Sequence, residues 1–179
     1  MHKIQQWRWI GLVALIERKV CVNETTMWKG KLLEKEKKRF AGSEITGKTL
    51  GVIGLGAIGS IIANLALDLG MNVIGYDPAI SVEAAWQLSS RVERMDSIES
   101  LLARADFITL HVPAIPATKH LINKDTLAQM KPNAKILNFA REEIVSTEDM
   151  VAALDSGTIA GYISDFPAPA LLGRKDVLL

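Results

Sequence analysis

The chain has one cysteine among its 179 residues, Cys21. A lone cysteine excludes an internal disulfide and fits a reducing compartment. It has no neighbouring ligands for zinc, so burial is the better interpretation, and no metal site is predicted. The formal net charge is only +1, which gives no electrostatic case for binding nucleic acid or a membrane surface. The basic run 31–39 includes two glutamates and is interpreted as a solvated helix face.

Long apolar runs are also missing. The run Ile10–Ile16 is seven residues long, whereas a membrane-spanning helix needs about 20. Charged residues flank it, and no small-residue cleavage site of a signal peptide follows. The sequence therefore predicts a cytoplasmic protein without a membrane anchor. Apolar residues still make up 49% of the chain, enough for the core of one domain with an appendage.

The most informative segment is 49–78, where an apolar run meets three glycines and a helix-periodic stretch follows. This is the G-x-G-x-x-G pattern of a dinucleotide-binding turn. Gly54 permits the tight turn out of a strand, and Gly56 lets the backbone approach a pyrophosphate. Gly59 lets the helix pack on the strand. The alternative is a glycine-rich turn in a sheet that binds nothing.

The ends of this segment supply the charges that a dinucleotide needs. The helix that starts after Gly56 offers unpaired N–H groups and a partial positive charge to phosphates. A second apolar run ends at Asp77, whose carboxylate can accept hydrogen bonds from ribose hydroxyls. An acid at this place disfavours a 2′-phosphate. The segment therefore predicts NAD rather than NADP as the cofactor.

Strands and helices alternate through the rest of the chain, which predicts a parallel sheet covered on both faces. The fold class is α/β, a Rossmann-type doubly wound parallel sheet with an N-terminal helical extension. Strands are predicted at 50–54, 72–76, 91–93, 106–112, 135–139 and 159–164, and a seventh begins at 177. The first helix is expected to bury the stripe Ile58, Ile61, Ile62, Leu65 and Leu69.

Specific side chains are expected to anchor or cap the other helices. Trp86 is the apolar anchor predicted for a helix at 81–89. Asp96 and Glu99 resemble a capping box. Asn123 and Ser146 are predicted to cap the two helices that follow.

The chain divides into a helical segment at 1–45 and the main domain at 46–179. Residues 5–38 are rich in tryptophan, are mostly helical by pattern, and form no core of their own. Such a segment has to bury its apolar side on another surface. That surface is either the following domain or a second copy of the chain.

The residue after each strand is a candidate ligand contact, since ligands bind beyond the carboxyl ends of parallel strands. The fourth predicted strand ends in His111, Val112 and Pro113, and Thr118 follows. A loop stiffened by proline predicts an apolar wall for an adenine or a ribose. His111 alone is more often an ordinary strand-end histidine, and no carboxylate partner for catalysis is visible.

The next two strands end in charged residues. Arg141 follows the fifth strand, and its planar guanidinium suits a two-pronged grip on a carboxylate. A surface ion pair is the alternative. Asp165 follows the sixth strand, where it can accept a hydrogen bond from a nicotinamide carboxamide or cap a turn.

Several ordered motifs within residues 40–179 together resemble the D-isomer-specific 2-hydroxyacid dehydrogenases, in particular members similar to D-3-phosphoglycerate dehydrogenase. The motifs are GKTLGVIGLGAIG, GYDP, FITLHVPAIPATKHLIN, LAQMKPNAKILNFAREEIV, ALDSGTIAGYISDFP and DVLL. The resemblance implies a domain that binds NAD(H), from which hydride passes to or from the alcohol carbon of a 2-hydroxy acid.

The resemblance also implies a role for each candidate residue. The pyrophosphate falls on Gly56, Ala57 and Ile58, and the adenosine ribose falls on Asp77. The adenine side is shielded by His111, Val112 and Pro113. Ala140 and Arg141 lie beside the nicotinamide ribose, Asp165 holds the carboxamide, and Arg141 grips the substrate carboxylate.

This chain departs from the family pattern where catalysis is expected. The family's glutamate position holds Ala170, and the family's P-H-x-G histidine segment is not in the sequence. Glu142 stands where the family usually has glycine, and Ser146 where it often has aspartate. The substrate-binding domain is expected to be absent. The chain is therefore expected to be catalytically incomplete, with a small 2-hydroxy or 2-keto acid as partner only if a substrate domain completes it.

Two functional hypotheses remain open at this point. One is the cofactor domain, or a decayed copy, of an NAD-dependent 2-hydroxyacid dehydrogenase. The other is a non-enzymatic NAD-binding scaffold or sensor. Both include a homodimer through the helix at about 13–38. A short-chain reductase lacks support because neither Tyr76 nor Tyr162 has a lysine four residues later.

Overall fold

The computed structural model describes residues 44–179. The predicted N-terminal helical segment, Cys21 and the proposed dimerisation helix lie outside the described residues. From Gly47 to Leu179 the chain forms one compact unit. Within residues 44–179 no helix is long and apolar enough to cross a membrane.

Seven strands alternate with five α-helices in the described residues. In chain order they are β1 (Thr49–Ile53), α1 (Ala57–Asp68), β2 (Asn72–Tyr76), α2 (Val82–Gln87), β3 (Glu93–Arg94), α3 (Ile98–Arg104), β4 (Phe107–Leu110), α4 (Lys124–Leu127), β5 (Lys135–Asn138), α5 (Thr147–Asp155), β6 (Gly161–Ser164) and β7 (Val177–Leu178). Short 3₁₀ turns occupy Glu142–Ile144 and Pro169–Leu171.

All strand pairs are parallel, and the order across the sheet is β3-β2-β1-β4-β5-β6-β7. This confirms the doubly wound sheet. From β1 the chain moves to β2 on one side, and it later returns to β4 on the other side of β1. The loops after β1 and β4 therefore diverge and leave a crevice at the carboxyl edge, which is where ligands of such sheets bind.

Helix α1 packs with a different face from the one predicted. Of the expected stripe, Ile62 is fully buried, whereas the other four aliphatic side chains are half-buried. The buried face consists of Gly59, Ser60, Ile62, Ala63, Ala66 and Leu67. The helix comes very close to the sheet at its first turn, so small residues line the contact and the bulkier aliphatics lie on its flanks.

Helix α2 is not anchored by Trp86, contrary to the prediction. The Trp86 side chain is 85% exposed, and Ala84 is the buried residue of this helix. Hydrogen bonds to Asn64 on α1 hold the end of α2 instead. The Asn64 side chain donates to the Gln87 carbonyl (2.8 Å) and accepts from the Ser89 N–H (2.9 Å).

The capping predictions were partly right. Asn123 and Ser146 cap α4 and α5 as expected. The predicted capping box of Asp96 and Glu99 was wrong. The N-cap of α3 is Ser97, whose side chain accepts from the Ser100 N–H. Serine and aspartate are both good N-caps, so the sequence alone did not decide between adjacent positions.

A small parallel bridge joins the loops that follow β4 and β5. Ile122 and Val145 pair as an isolated parallel bridge. The Ile122 N–H donates to the Ile144 carbonyl (3.1 Å), and the Ser146 N–H donates to the Ile122 carbonyl (2.9 Å). The two loops are therefore linked beyond the end of the sheet.

Candidate nucleotide-binding site

The turn after β1 requires glycine for two physical reasons. Gly54 has φ +90°, in the left-handed region that favours glycine. A Cβ on Gly54 would lie 2.7 Å from the carbonyl oxygen of His111 at the end of β4. The predicted role of Gly54 in a tight turn is confirmed.

Gly59 brings the first turn of α1 against that same turn. A Cβ on Gly59 would overlap the carbonyl oxygen of Gly54. This confirms that Gly59 allows close packing of the helix on the strand end, and it fixes where the helix N-terminus points.

The space beside Gly56 is open. Gly56 is the N-cap of α1, and a Cβ built on it meets no atom within 4 Å. Among the described α-helices, α1 is the one whose N-cap makes no side-chain hydrogen bond, and its first turn has no acidic residue. The first N–H groups of an α-helix have no partner within the helix. This N-terminus thus combines backbone donors, partial positive charge and room for an anion.

Asp77 faces the glycine turn from the end of β2. Its Oδ2 accepts from the Leu55 N–H (2.8 Å), and its Oδ1 accepts from the Ala79 N–H (2.9 Å). These bonds fix the orientation of the carboxylate. Each carboxylate oxygen has two acceptor sites, so Asp77 retains the capacity to accept from ribose hydroxyls.

His111 lies on the other side of the turn, after β4. Its Nε2 is 2.9 Å from Thr109 Oγ1, and its backbone N–H donates to the Ile53 carbonyl (2.8 Å). Burial lowers the pKa of His111 to about 4. The ring is therefore neutral near pH 7 and adds no positive charge to the crevice.

The hydroxyl of Thr118 makes hydrogen bonds within its own loop. It donates to the Pro113 carbonyl and accepts from the Ile115 N–H (3.0 Å). Val112 packs against the core, and Pro113 is exposed. The structure therefore brings Val112 and Pro113 into a braced loop beside the glycine turn, with Thr118 as the brace.

Arg141 and Ala140 are held by a buried side chain that sequence reasoning did not single out. The Asn138 Nδ2 donates to the Arg141 carbonyl (2.8 Å), and its Oδ1 accepts from the Ala140 N–H (3.2 Å). Arg141 is exposed, and its Nη1 donates to the Ala140 carbonyl (2.7 Å). An asparagine that ends an apolar strand was the available sequence signal.

Asp165 lies next to this group, after β6. Its backbone N–H donates to the Asn138 carbonyl (3.4 Å), and its side chain is exposed. Ser164 Oγ accepts from the Phe166 N–H (3.1 Å). The site residues predicted at the ends of β5 and β6 are thus neighbours in space.

The buried polar residues at this edge of the sheet form a second group that the sequence did not reveal. Tyr162 is hydrogen-bonded to Ser164 and Asn138, and burial, with a contribution from Glu142, raises its pKa. Ser164 and Asn138 are almost fully buried. Glu142 and Ala170 are exposed on the two 3₁₀ turns.

These features together fit a dinucleotide. The uncapped helix and the open space at Gly56 suit a diphosphate, and Asp77 suits a ribose. A different set of polar groups lies on the far side of the crevice, at Ala140, Arg141 and Asp165. Among residues 44–179 no cluster of three or more metal-ligating side chains is present. The fold and the site define a dinucleotide-binding α/β domain.

Comparison with known proteins identifies the family. The model of the D-isomer specific 2-hydroxyacid dehydrogenase NAD binding domain matches residues 10–177. The chain belongs to this family, and NAD is the cofactor of the domain.

The curated relatives that this chain resembles include two kinds of dehydrogenase. D-3-phosphoglycerate dehydrogenase of Synechocystis sp. is 46% identical over 140 residues, which are 78% of this chain and 25% of that protein. D-2-hydroxyacid dehydrogenase (NAD(+)) of Clostridioides difficile is 42% identical over 162 residues, 90% of this chain and 45% of that protein. The chain thus spans about a quarter to a half of the length of these relatives.

Solved structures give the same fold. Apo D-mandelate dehydrogenase of Rhodotorula graminis aligns with a TM-score of 0.81 and 30% identity, covering 99% of this chain and 55% of that one. D-lactate dehydrogenase with NAD+ from Lactobacillus jensenii aligns with a TM-score of 0.77 and 26% identity, covering 99% and 58%.

The low pKa of His111 predicts a pH-dependent stability. The unfolded pKa is about 6.5 and the folded pKa is about 4, so the unfolded state binds more protons between these values. The free energy of unfolding therefore has its full value above about pH 6.5 and decreases as the pH drops toward 4. His111→Gln keeps a hydrogen-bonding side chain without this titration. Urea unfolding measures the free energy of unfolding at about pH 7 and pH 5. The decrease between these pH values should be about 2 kcal/mol larger for the wild type than for His111→Gln. Equal decreases in both proteins would contradict a histidine that is kept neutral in the folded state.

Proposed function

We propose that NAD(H) lies across the crevice with its pyrophosphate on the N-terminus of α1, at Gly56, Ala57 and Ile58. The observation that carries this proposal is the helix N-terminus without a side-chain cap, facing open space at Gly56. The hydroxyls of the adenosine ribose donate hydrogen bonds to the Asp77 carboxylate, beside the turn that Gly54 and Gly59 form. A carboxylate there repels a 2′-phosphate, which favours NAD over NADP.

The two ends of the cofactor meet different walls. His111, Val112, Pro113 and the loop braced by Thr118 cover the adenine side. Ala140 and Arg141 lie beside the nicotinamide ribose, and Asp165 accepts from the carboxamide. The hydrogen-bonded neighbourhood of Ala140, Arg141 and Asp165 supports this assignment.

The substrate class is a small 2-hydroxy or 2-keto acid, in line with the names of the relatives. When bound, the nicotinamide supplies the hydride that such a reaction exchanges. Arg141 grips the substrate carboxylate. In the structure one of its N–H groups donates to Ala140, and a guanidinium has five N–H donors, so the others remain for a carboxylate.

The activity of the chain by itself is a separate question. Ala170, at the family's glutamate position, has no carboxyl group with which to support a general acid/base. Glu142 adds a carboxylate next to Arg141, in competition with an anionic ligand. These residues favour an NAD-binding scaffold or sensor as the second candidate function, beside that of a dehydrogenase cofactor domain.

Gly56→Ala tests the proposed cofactor position. The added methyl group enters the space assigned to the pyrophosphate, so the Kd for NADH should rise at least about tenfold, a loss of about 1.4 kcal/mol. The backbone of Gly56 has φ −68°, which alanine adopts easily, so the free energy of unfolding should fall by no more than about 1 kcal/mol. Calorimetric titration and urea unfolding measure the two effects.

The matched comparison is Gly59→Ala, in which the methyl group meets the Gly54 carbonyl oxygen. This variant should lose about 2 kcal/mol or more of unfolding free energy. Unchanged NADH affinity in Gly56→Ala, or no NADH binding by the wild type, would refute the proposed cofactor position.

Turnover separates the two candidate functions. The purified 179-residue chain, mixed with NADH and a panel of 2-keto acids, should show no measurable NADH oxidation. Loss of general acid/base support typically costs about a hundred- to ten-thousand-fold in rate. A robust rate with any acid would exclude the scaffold function and establish the dehydrogenase.

We further propose that the protein is a cytoplasmic homodimer, paired through the segment at about 13–38. The lone cysteine supports the cytoplasmic location, and the aromatic-rich segment needs a surface to cover it. Light scattering at micromolar concentration should give twice the chain mass of 19.6 kDa. A monomeric mass would overturn the dimer.

A further inference from the structure

The side chain of Asn138 reaches both Ala140 and Arg141, and its backbone reaches Asp165. The side chain of Asn138 is fully buried at the end of β5. Its amide accepts from the Ala140 N–H and donates to the Arg141 carbonyl, and the backbone carbonyl of Asn138 accepts from the Asp165 N–H. Three residues assigned to the nicotinamide half therefore share one anchor.

We propose that Asn138, supported by a hydrogen bond to Tyr162, is the positioning residue for the nicotinamide half of the cofactor site. The inference rests on the proposed function, which places the nicotinamide beside Ala140, Arg141 and Asp165. Neither Asn138 nor Tyr162 touches the cofactor in this assignment. Both act through the backbone of the loops after β5 and β6.

The chemistry of the amide explains why asparagine suits this place. Its Oδ1 accepts one bond, and its Nδ2 carries two protons, which go to the Arg141 carbonyl and the Tyr162 hydroxyl. A carboxylate has no proton to donate at these two places, and an aliphatic side chain has neither function. Loss of the amide leaves the Ala140 N–H and the Arg141 carbonyl without this partner, and an unpaired polar group in a partly buried site is costly.

The Ala140 N–H and the Arg141 carbonyl set which way the amide is turned, and the Tyr162 hydroxyl accepts the second amide proton. That hydroxyl lies 3.3 Å from Asn138 Nδ2 and is also bonded to Ser164. Ser164 in turn accepts from the Phe166 N–H, next to Asp165. The loops after β5 and β6 are therefore joined through Asn138, Tyr162 and Ser164, all at most 4% exposed.

Two ligands separate positioning from general stability. NADH contacts both halves of the proposed site, whereas ADP carries only the adenosine and the diphosphate. Asn138→Ala should raise the Kd for NADH about tenfold and leave the Kd for ADP within about twofold of the wild-type value. Tyr162→Phe, which removes only the hydroxyl, should raise the Kd for NADH about threefold with the same Kd for ADP.

Ile163→Val is the matched control. Ile163 is buried between Tyr162 and Ser164 on β6, and side chains alternate faces along a strand. The control loses one buried methyl group and none of the hydrogen bonds, so both Kd values should stay at the wild-type level. If Asn138→Ala does not fold, Tyr162→Phe provides the test.

The outcomes are distinct. Wild-type NADH affinity in both variants would overturn the positioning role while leaving the proposed function intact. Equal weakening of NADH and ADP would also overturn it, because it would indicate a general structural effect. Failure of the wild type itself to bind NADH would refute the proposed function, and the inference with it.

Discussion

The close contact of three backbone segments at the carboxyl edge is the constraint on which the site depends. The turn at Gly54 lies under the His111 carbonyl, and the first turn of α1 lies against the Gly54 carbonyl at Gly59. Neither contact leaves room for a side chain. Because α1 sits this close to the sheet, its N-terminus opens directly onto the crevice between the loops after β1 and β4. The same closeness explains why its buried face is made largely of small residues.

The two halves of the crevice are built by different means. Around Asp77, backbone contacts and the carboxylate define the surface. Around Ala140 and Arg141, the buried amide of Asn138 holds the loops from within. The first arrangement depends on the absence of side chains, and the second depends on one side chain with both donors and acceptors.

The sequence predicted the sheet, the strand spans to within a few residues and the structural roles of Gly54 and Gly59, because these follow from local patterns. Apolar runs mark strands, and glycine is needed where φ is positive or backbones touch. The buried face of α1 and the exposure of Trp86 were predicted wrongly, since both depend on how closely two elements approach in space. Asn138, Tyr162 and Ser164 were missed because their partners lie on other strands or beyond a turn. The binding roles of the site residues remain predictions.

The bridge between Ile122 and Val145 has a consequence for the energetics of ligand capture. It fastens the segments that follow β4 and β5 to each other outside the sheet. The segment after β4, which forms one wall of the crevice, is therefore held in place before any ligand enters. A ligand then meets a wall that is already ordered, so binding costs the protein little backbone entropy. More of the contact energy therefore appears as affinity.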